Sequence, residues 1–420
     1  MSQHDVTAAP SDSEEPEVPA HIPPELVVHL DHHSDAAAIA DPLGYMDPLR
    51  ERYRVLYSPA HEGFWVITRF TDMREALQRP DLFSSDPVGI PGAPGYGGLK
   101  LLPIGVDPPE HTRYRALINP AFSPHRIRDM EAMIRQTAVG LIDRVVERGE
   151  CDFIADYARP LPTTIFAGLL GLPAEESDLF GSWIHTLLHT SNKGEDVVAR
   201  RRAGEEIGDY LRQLIAERRR RPADDLISDL IGAEVDGERL SQQEVLRICF
   251  LLFMAGLDTV TAAHGFFFRF LACHPGHRAR IIEDPGVIPS AVEEMLRVHS
   301  FISDARTVVE DMTFAGVEMR AGDRVLLPTC SAGRDPRAFP DPLMVDFDRR
   351  PNSHLAFATG PHRCVGAHLA RLELYVTLEE WHRQIPDYTL APDAPIVAHC
   401  GNTAGLENLP LTWSVHGTDR

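Results

Sequence analysis

Between residues 241 and 275 the chain reads SQQEVLRICFLLFMAGLDTVTAAHGFFFRFLACHP, and this pattern dominates any reading of the fold. Ser241 and Glu244 form an S-x-x-E capping box at its start, and Pro275 marks its stop. At a rise of about 1.5 Å per residue such a helix runs about 50 Å, enough to cross a domain. It is apolar on nearly every face from Ile248 to Gly256, so protein or lipid must surround it. A membrane span needs about 20 predominantly apolar residues. Asp258, Thr259, Thr261, His264 and Arg269 interrupt this run, which predicts a central core helix instead.

Around that helix the periodicity from Asp107 to His274 is overwhelmingly helical. YRVLYS and GFWVIT, separated by PAHE, predict a hairpin, because β-formers alternate on both sides of a turn. TFAGVEMRAGDRVLLP and the tail after Ile396 predict small sheets. The Pro/Gly-rich DPVGIPGAPGYGG, from Asp86 to Gly98, suits no regular element, and long loops in compact domains are often functional. The expected class is mainly α with small β-sheets (α+β). No repeat and no Gly/Ser linker divides the chain after residue 21, so residues 21–420 read as one domain. Residues 1–20 are acidic and Pro-rich without an apolar core, which predicts a disordered tail and no signal peptide.

Composition narrows the function. The 420 residues are 43% hydrophobic, ample for a large core, and carry a formal charge of -21, which repels nucleic acid. The RRRR run at Arg218 to Arg221 ends a helical stretch, where cations complement the helix C-terminus. Six cysteines without a CxxC argue against zinc and against a disulfide scaffold, and predict a reducing cytoplasm. No membrane anchor is expected.

Two places carry chemistry. Asp258 and Thr259 sit beside Gly256 inside the apolar helix, where an unpaired carboxylate costs several kcal/mol. Either Thr259 bonds back to the Ala255 carbonyl and Asp258 is paired elsewhere, or the two open a proton path into a dry cavity. FATGPHRCVG places Cys364 in a glycine-bearing loop just before the helical VGAHLARLELYVTLEEWHR. A lone cysteine is commonly a small buried hydrophobe. Here loop and helix-start N–H groups could support a thiolate, with His362, Arg363 and His368 nearby.

The ten residues resemble the haem-ligand loop of the cytochrome P450 family, F-x-x-G-x-[HR]-x-C-x-G, at Phe357, Gly360, His362, Cys364 and Gly366. AGLDT (255–259), EMLR (294–297) and HTRYR (111–115) resemble the family in the same order. DPPE, LDTV, ARLEL and NLPLTW are similar to the soluble bacterial camphor hydroxylase group, and the resemblance spans residues 21–413. Ala358 stands where family members often carry glycine, a departure expected to cost little.

The resemblance implies a fold whose long central helix lies over haem b, with Cys364 as the iron ligand, Phe357 and Gly366 beside it, and Gly256 leaving room for dioxygen. It implies that His111, Arg115, Arg306 and His362 hold the propionates, that Glu294, Arg297 and Arg349 form a buried structural group, and that Asp258 and Thr259 deliver protons. Leu99, Leu101, Phe301, Ile302, Asn402 and Thr403 would line the pocket of a small to medium hydrophobic, terpenoid-like substrate. Leu99 falls where the camphor enzyme has its ketone-binding tyrosine, unless the longer loop brings Tyr96 inward. The implied activity is O2-dependent hydroxylation or epoxidation, with two electrons from a ferredoxin or flavodoxin and its NAD(P)H reductase. Arg113, Arg126, Arg128, Arg363 and Arg371 would form the docking face. A peroxide-driven variant of the fold and a non-catalytic haem sensor or ligand-sequestering protein are the alternatives. A hydrolase using Cys364 as nucleophile lacks a base at fixed spacing.

Overall fold

The computed structural model describes residues 18–92, 100–189, 195–235 and 237–415. Most of the expected N-terminal tail, residues 1–17, lies outside them. Val18 already packs against a core that includes Ile22, so ordered contacts begin three residues before His21.

The central helix runs from Gln242 to Cys273, and both halves of its capping box are made: Glu244 N donates to Ser241 Oγ (3.2 Å) and Ser241 N to Glu244 Oε2 (2.8 Å). Its all-round apolar surface is explained by its neighbours. The helices Pro160–Leu170, Ser177–His189, Glu195–Arg220 and Ala367–Gln384 and the π-turn Ile154–Ala158 all pack on it. Among the described residues it is the one helix long and apolar enough to cross a membrane, and it is mostly buried in protein. At the end of Glu195–Arg220, Arg218 is not simply solvated. It bonds the Asp225 carboxylate and the Gly171 carbonyl, while Arg219, Arg220 and Arg221 are exposed.

The expected hairpin forms as Val55–Ser58 and Phe64–Ile67, and belongs to a five-stranded sheet. Its order continues through Arg324–Pro328, parallel to Phe64–Ile67, then antiparallel Ser303–Val308 and Phe83–Ser84. Alternation in these strands separates two cores rather than core from water. Leu56, Phe64, Val66 and Leu326 face the helices, whereas Val55, Trp65, Ile67 and Leu327 join a second cluster with Phe83 and Phe339. TFAGVEMRAGDRVLLP divides into a small hairpin, Met312–Phe314 with Val317–Met319, and the Arg324–Pro328 strand. In the tail, Ala398–His399 pairs with Gly405–Leu406, and Pro410–Thr412 pairs with Glu150–Asp152 and Thr389–Leu390. Of the Pro/Gly-rich loop, residues 93–99 lie outside the described residues.

Candidate functional site

A cleft separates the central helix, from Leu251 to Ala263, from the loop Ala356–Gly366 and the start of the Ala367–Gln384 helix. The loop is turned tightly by Gly360. At φ +74° a Cβ there would fall 2.4 Å from the Leu77 carbonyl oxygen, so only glycine fits. Cys364 N donates to the Phe357 carbonyl (3.0 Å), which folds the loop back on itself. Cys364 thus sits deep in the fold with its exposed surface facing the cleft. Burial pushes its thiol above the ordinary value, against the pull of the Gly366 N–H and of Arg115, Arg363 and Arg371. A metal would overcome that bias, because coordination deprotonates a thiol outright.

The neighbours of Cys364 depart from expectation in three respects. Ala358 sits at φ +52°, a left-handed conformation that costs a non-glycine residue roughly 1–2 kcal/mol, so the departure is not cheap. A Cβ on Gly366 would only reach ordinary contact with Cys364 Sγ (3.9 Å), so no protein atom requires glycine there. Arg371 does not face a partner freely. It bonds Glu293 (2.6 and 2.9 Å) and lies 4.5 Å over the Phe357 ring, holding that ring beside the loop.

At one edge of the cleft two histidines and two arginines gather, with the Asp107 carboxylate 3.7 Å from His362 Nε2. His111 and Arg115 share a face of the helix Glu110–Ile118, and the His111 and His362 rings lie 4.2 Å apart. Neither nitrogen of His111, nor Nε2 of His362, has a hydrogen-bond partner. Burial, with Arg306, His111 and Arg115 nearby, pushes His362 down to about 3. Unsatisfied buried polar groups cost about 1–3 kcal/mol each. A cluster of them beside two arginines fits an anionic ligand.

On the opposite wall, Asp258 is 14% exposed and meets His189 Nε2 through Oδ1 (2.8 Å), while its Oδ2 has no partner. Burial alone would raise the Asp258 carboxyl, but the charge and hydrogen bond of His189 hold it below the usual carboxylate range. Burial likewise opposes the charge on His189, and Asp258 raises it above the ordinary histidine value. Thr259 Oγ1 donates to the Ala255 carbonyl (3.2 Å). Both halves of the bland reading are therefore real, yet Thr259 still lines the cleft and Asp258 the cavity next to it. Behind Asp258 the His189 ring lies 3.9 Å from that of His399, His399 Nδ1 meets Glu407 (2.6 Å), and His185, 45% exposed, approaches the same carboxylate (3.6 Å). Gly256 has a steric reason of its own, since a Cβ would stand 2.3 Å from the Phe166 ring.

A second cavity joins the cleft at Ile104, Leu251, Ala255, Thr259, Ile302 and Asp304. Leu101, Ile302, Asn402 and Thr403 line it as expected, whereas Phe301 lines the cleft itself. Leu99 and Tyr96 lie outside the described residues. Asn402 is partly committed, because its Oδ1 accepts from Ile90 N (3.3 Å).

The sequence profile of the family described as Cytochrome P450 matches residues 186–381. A probable cytochrome P450 127A1 of Sinorhizobium fredii is 35% identical over 409 residues, covering 94% of this chain and 97% of its own. The chain belongs to the cytochrome P450 family. This P450 is also similar to the mycinamicin IV hydroxylase/epoxidase of Micromonospora griseorubida, 36% identical over 84% of this chain and 91% of that one. The crystal structure of CYP101J2 superposes with a TM-score of 0.86 at 32% identity, over 95% of this P450 and all of that chain. By family and relatives this P450 is a monooxygenase.

Membership implies a haem, and the residues of this P450 fit one: a thiol at the floor of an apolar cleft and unpartnered donors at its edge. Several site residues escaped the sequence reading. His189 lies 69 positions from Asp258, and only its clustering with His185 in HTLLH hinted at it. Asp304, beside Ile302 in FISDAR, enters both cavities, and burial raises its carboxyl. Glu373 of ARLEL, fully enclosed behind the cleft, is pushed up to about 8 by burial and so is protonated at neutral pH.

The EMLR pair is tied into the same region. Arg297 forks onto Glu294 (2.9 and 2.7 Å), Arg349 Nε and Asp346 N add bonds to Oε1 (2.9 and 3.0 Å), and Asn352 bonds Oε2 (3.0 Å). Arg297 also donates to the carbonyls of Gly333, Pro342 and Met344.

Proposed function

We propose that this P450 monooxygenase hydroxylates or epoxidises a small to medium hydrophobic molecule of the terpenoid class, using haem b, O2 and electrons from a separate ferredoxin system. The second cavity carries the reading: Leu101, Ile104, Leu188, Met254 and Ile302 form apolar walls, and Asp304, Arg306, Asn402 and Thr403 add polar groups. Apolar pockets with a few placed polar groups suit such ligands.

Haem, when bound, supplies the iron at which dioxygen is reduced. The chain supplies the surroundings. Cys364 Sγ would ligate the iron as thiolate, the ligand that favours O–O cleavage. His111, Arg115, Arg306 and His362 would hold the propionates through charge-assisted bonds. Asp258 takes a proton from His189 Nε2 and presents it toward Thr259 Oγ1, which turns from the Ala255 carbonyl to pass it on. The apolar cavity walls keep bulk water away from the reacting centre.

Electron entry fits the face behind Cys364. Arg126 and Arg128 are exposed on the helix Pro124–Asp129, which packs against Ala367–Gln384, and Arg363 is exposed beside the cysteine. Arg113 is half-buried and Arg371 is held by Glu293, so the docking patch is smaller than the resemblance implied. All six cysteines are free thiols, which supports a cytoplasmic setting.

Optical titration of the haem spin state with a panel of ligands tests the substrate class. Monoterpenoids should shift the Soret band to shorter wavelength at micromolar concentrations. A shift by steroids or macrolides alone would contradict the proposed size class.

A further inference from the structure

Away from the haem cleft, Asp31, His32 and His61 each offer a ligand atom, and these atoms lie within 4.8 Å of one another. Asp31 and His32 belong to HLDHHSD, just before the helix Ala36–Ala40, and His61 to the hairpin turn between Val55–Ser58 and Phe64–Ile67. The backbone brings them together. Val28 N donates to the Tyr57 carbonyl (2.9 Å), and Ser58 Oγ bridges Leu30 by accepting from its N–H (3.2 Å) and donating to its carbonyl (2.8 Å).

Each ligand is aimed inward. The Asp31 carboxylate is oriented by His33 N (3.0 Å) and Ser34 Oγ (2.6 Å), and its Oδ1 meets His61 Nε2 (2.8 Å). His61 holds φ +50°, rare for a residue other than glycine, with its ring only 16% exposed. His32 is fully buried, and neither ring nitrogen makes a well-formed hydrogen bond, although the Asn402 side chain approaches it. A buried imidazole without a well-formed hydrogen bond is the feature a metal would satisfy.

We propose that Asp31, His32 and His61 form a Zn²⁺ site that staples the N-terminal segment to the hairpin turn. Two imidazoles and a carboxylate suit Zn²⁺ and not the oxygen-only preference of Ca²⁺ or Mg²⁺, and three protein ligands leave a fourth position for water. The scattered cysteines spoke against zinc in the sequence, and this site departs from that expectation because its ligands are imidazole and carboxylate rather than thiolate. Next to the metal, His33 packs 4.3 Å from the His32 ring, meets the Ile90 carbonyl (2.7 Å) and lines the second cavity with Asn402. Zn²⁺ would therefore stiffen one wall of the substrate cavity.

The test uses haem-loaded protein freed of other bound divalent metals with EDTA, then titrated with ZnCl2 by calorimetry and examined by X-ray absorption at the zinc edge. One equivalent should bind, with imidazole nitrogen and carboxylate oxygen at about 2.0–2.2 Å, and raise Tm. His61→Asn keeps a residue that tolerates positive φ, and Asp31→Asn keeps the shape of the carboxylate. Both should weaken binding by about tenfold or more while leaving the Soret spectrum unchanged. Failure to retain one equivalent, or equal affinity in wild type and both variants because zinc sits on other histidines, would overturn the site.

Discussion

Asp258→Asn lowers the rate of product formation by about 10²-fold or more, the ordinary contribution of a positioned proton donor, and leaves haem content and the Soret spectrum intact. The carboxylate is placed to act. Oδ1 is held by His189 at 2.8 Å while Oδ2 has no partner, and the residue lines the cavity that meets the cleft at Thr259. An amide keeps the shape and the contact to His189 but cannot take up and release a proton in the same way. The histidine and glutamate groups behind it, ending at the exposed His185, would give protons a route from solvent. Thr259→Ala should act further along and separately, so that reduced cofactor is consumed with less product. Unchanged rate in Asp258→Asn together with unchanged coupling in Thr259→Ala would remove both residues from the proton path.

Glu294→Gln should leave little stable, haem-loaded protein. Glu294 and Arg297 are 1% and 0% exposed, and removing one charge of such a pair costs about 3–5 kcal/mol because the other stays buried and uncompensated. A domain with about 5–15 kcal/mol of net stability loses a large share of it. Burial disfavours the Glu294 charge, but Arg297, the Asp346 N–H and Arg349 outweigh it and hold the carboxyl below its ordinary value. The damage should reach the site, since the adjacent Glu293 holds Arg371 over Phe357 and also meets His354 (3.1 Å). Thermal unfolding and the haem-to-protein absorbance ratio check this. A Tm near that of wild type would show that the group is not structural.

The legibility of these features follows their separation along the chain. The central helix was readable because a capping box, an apolar run and a proline stop are local signals. The Cys364 loop was readable because Gly360 and its neighbours answer to tight local geometry. The Glu294–Arg297 spacing by itself is worth only a few tenths of a kcal/mol, and the family resemblance supplied its burial and Arg349. Only the folded chain adds Asn352, the Asp346 N–H and the carbonyls bound by Arg297. His189 reaches Asp258, and His61 reaches Asp31, by tertiary folding that no periodicity announces. Ala358 went the other way: a substitution that looks mild in sequence occupies a backbone conformation where alanine is strained.

Binding of haem iron by the Cys364 thiolate is read in the absorbance spectrum of the reduced protein under carbon monoxide. A strongly red-shifted Soret band that is lost in Cys364→His is expected. A band at the position typical of histidine or neutral thiol ligation in the wild-type protein would contradict it.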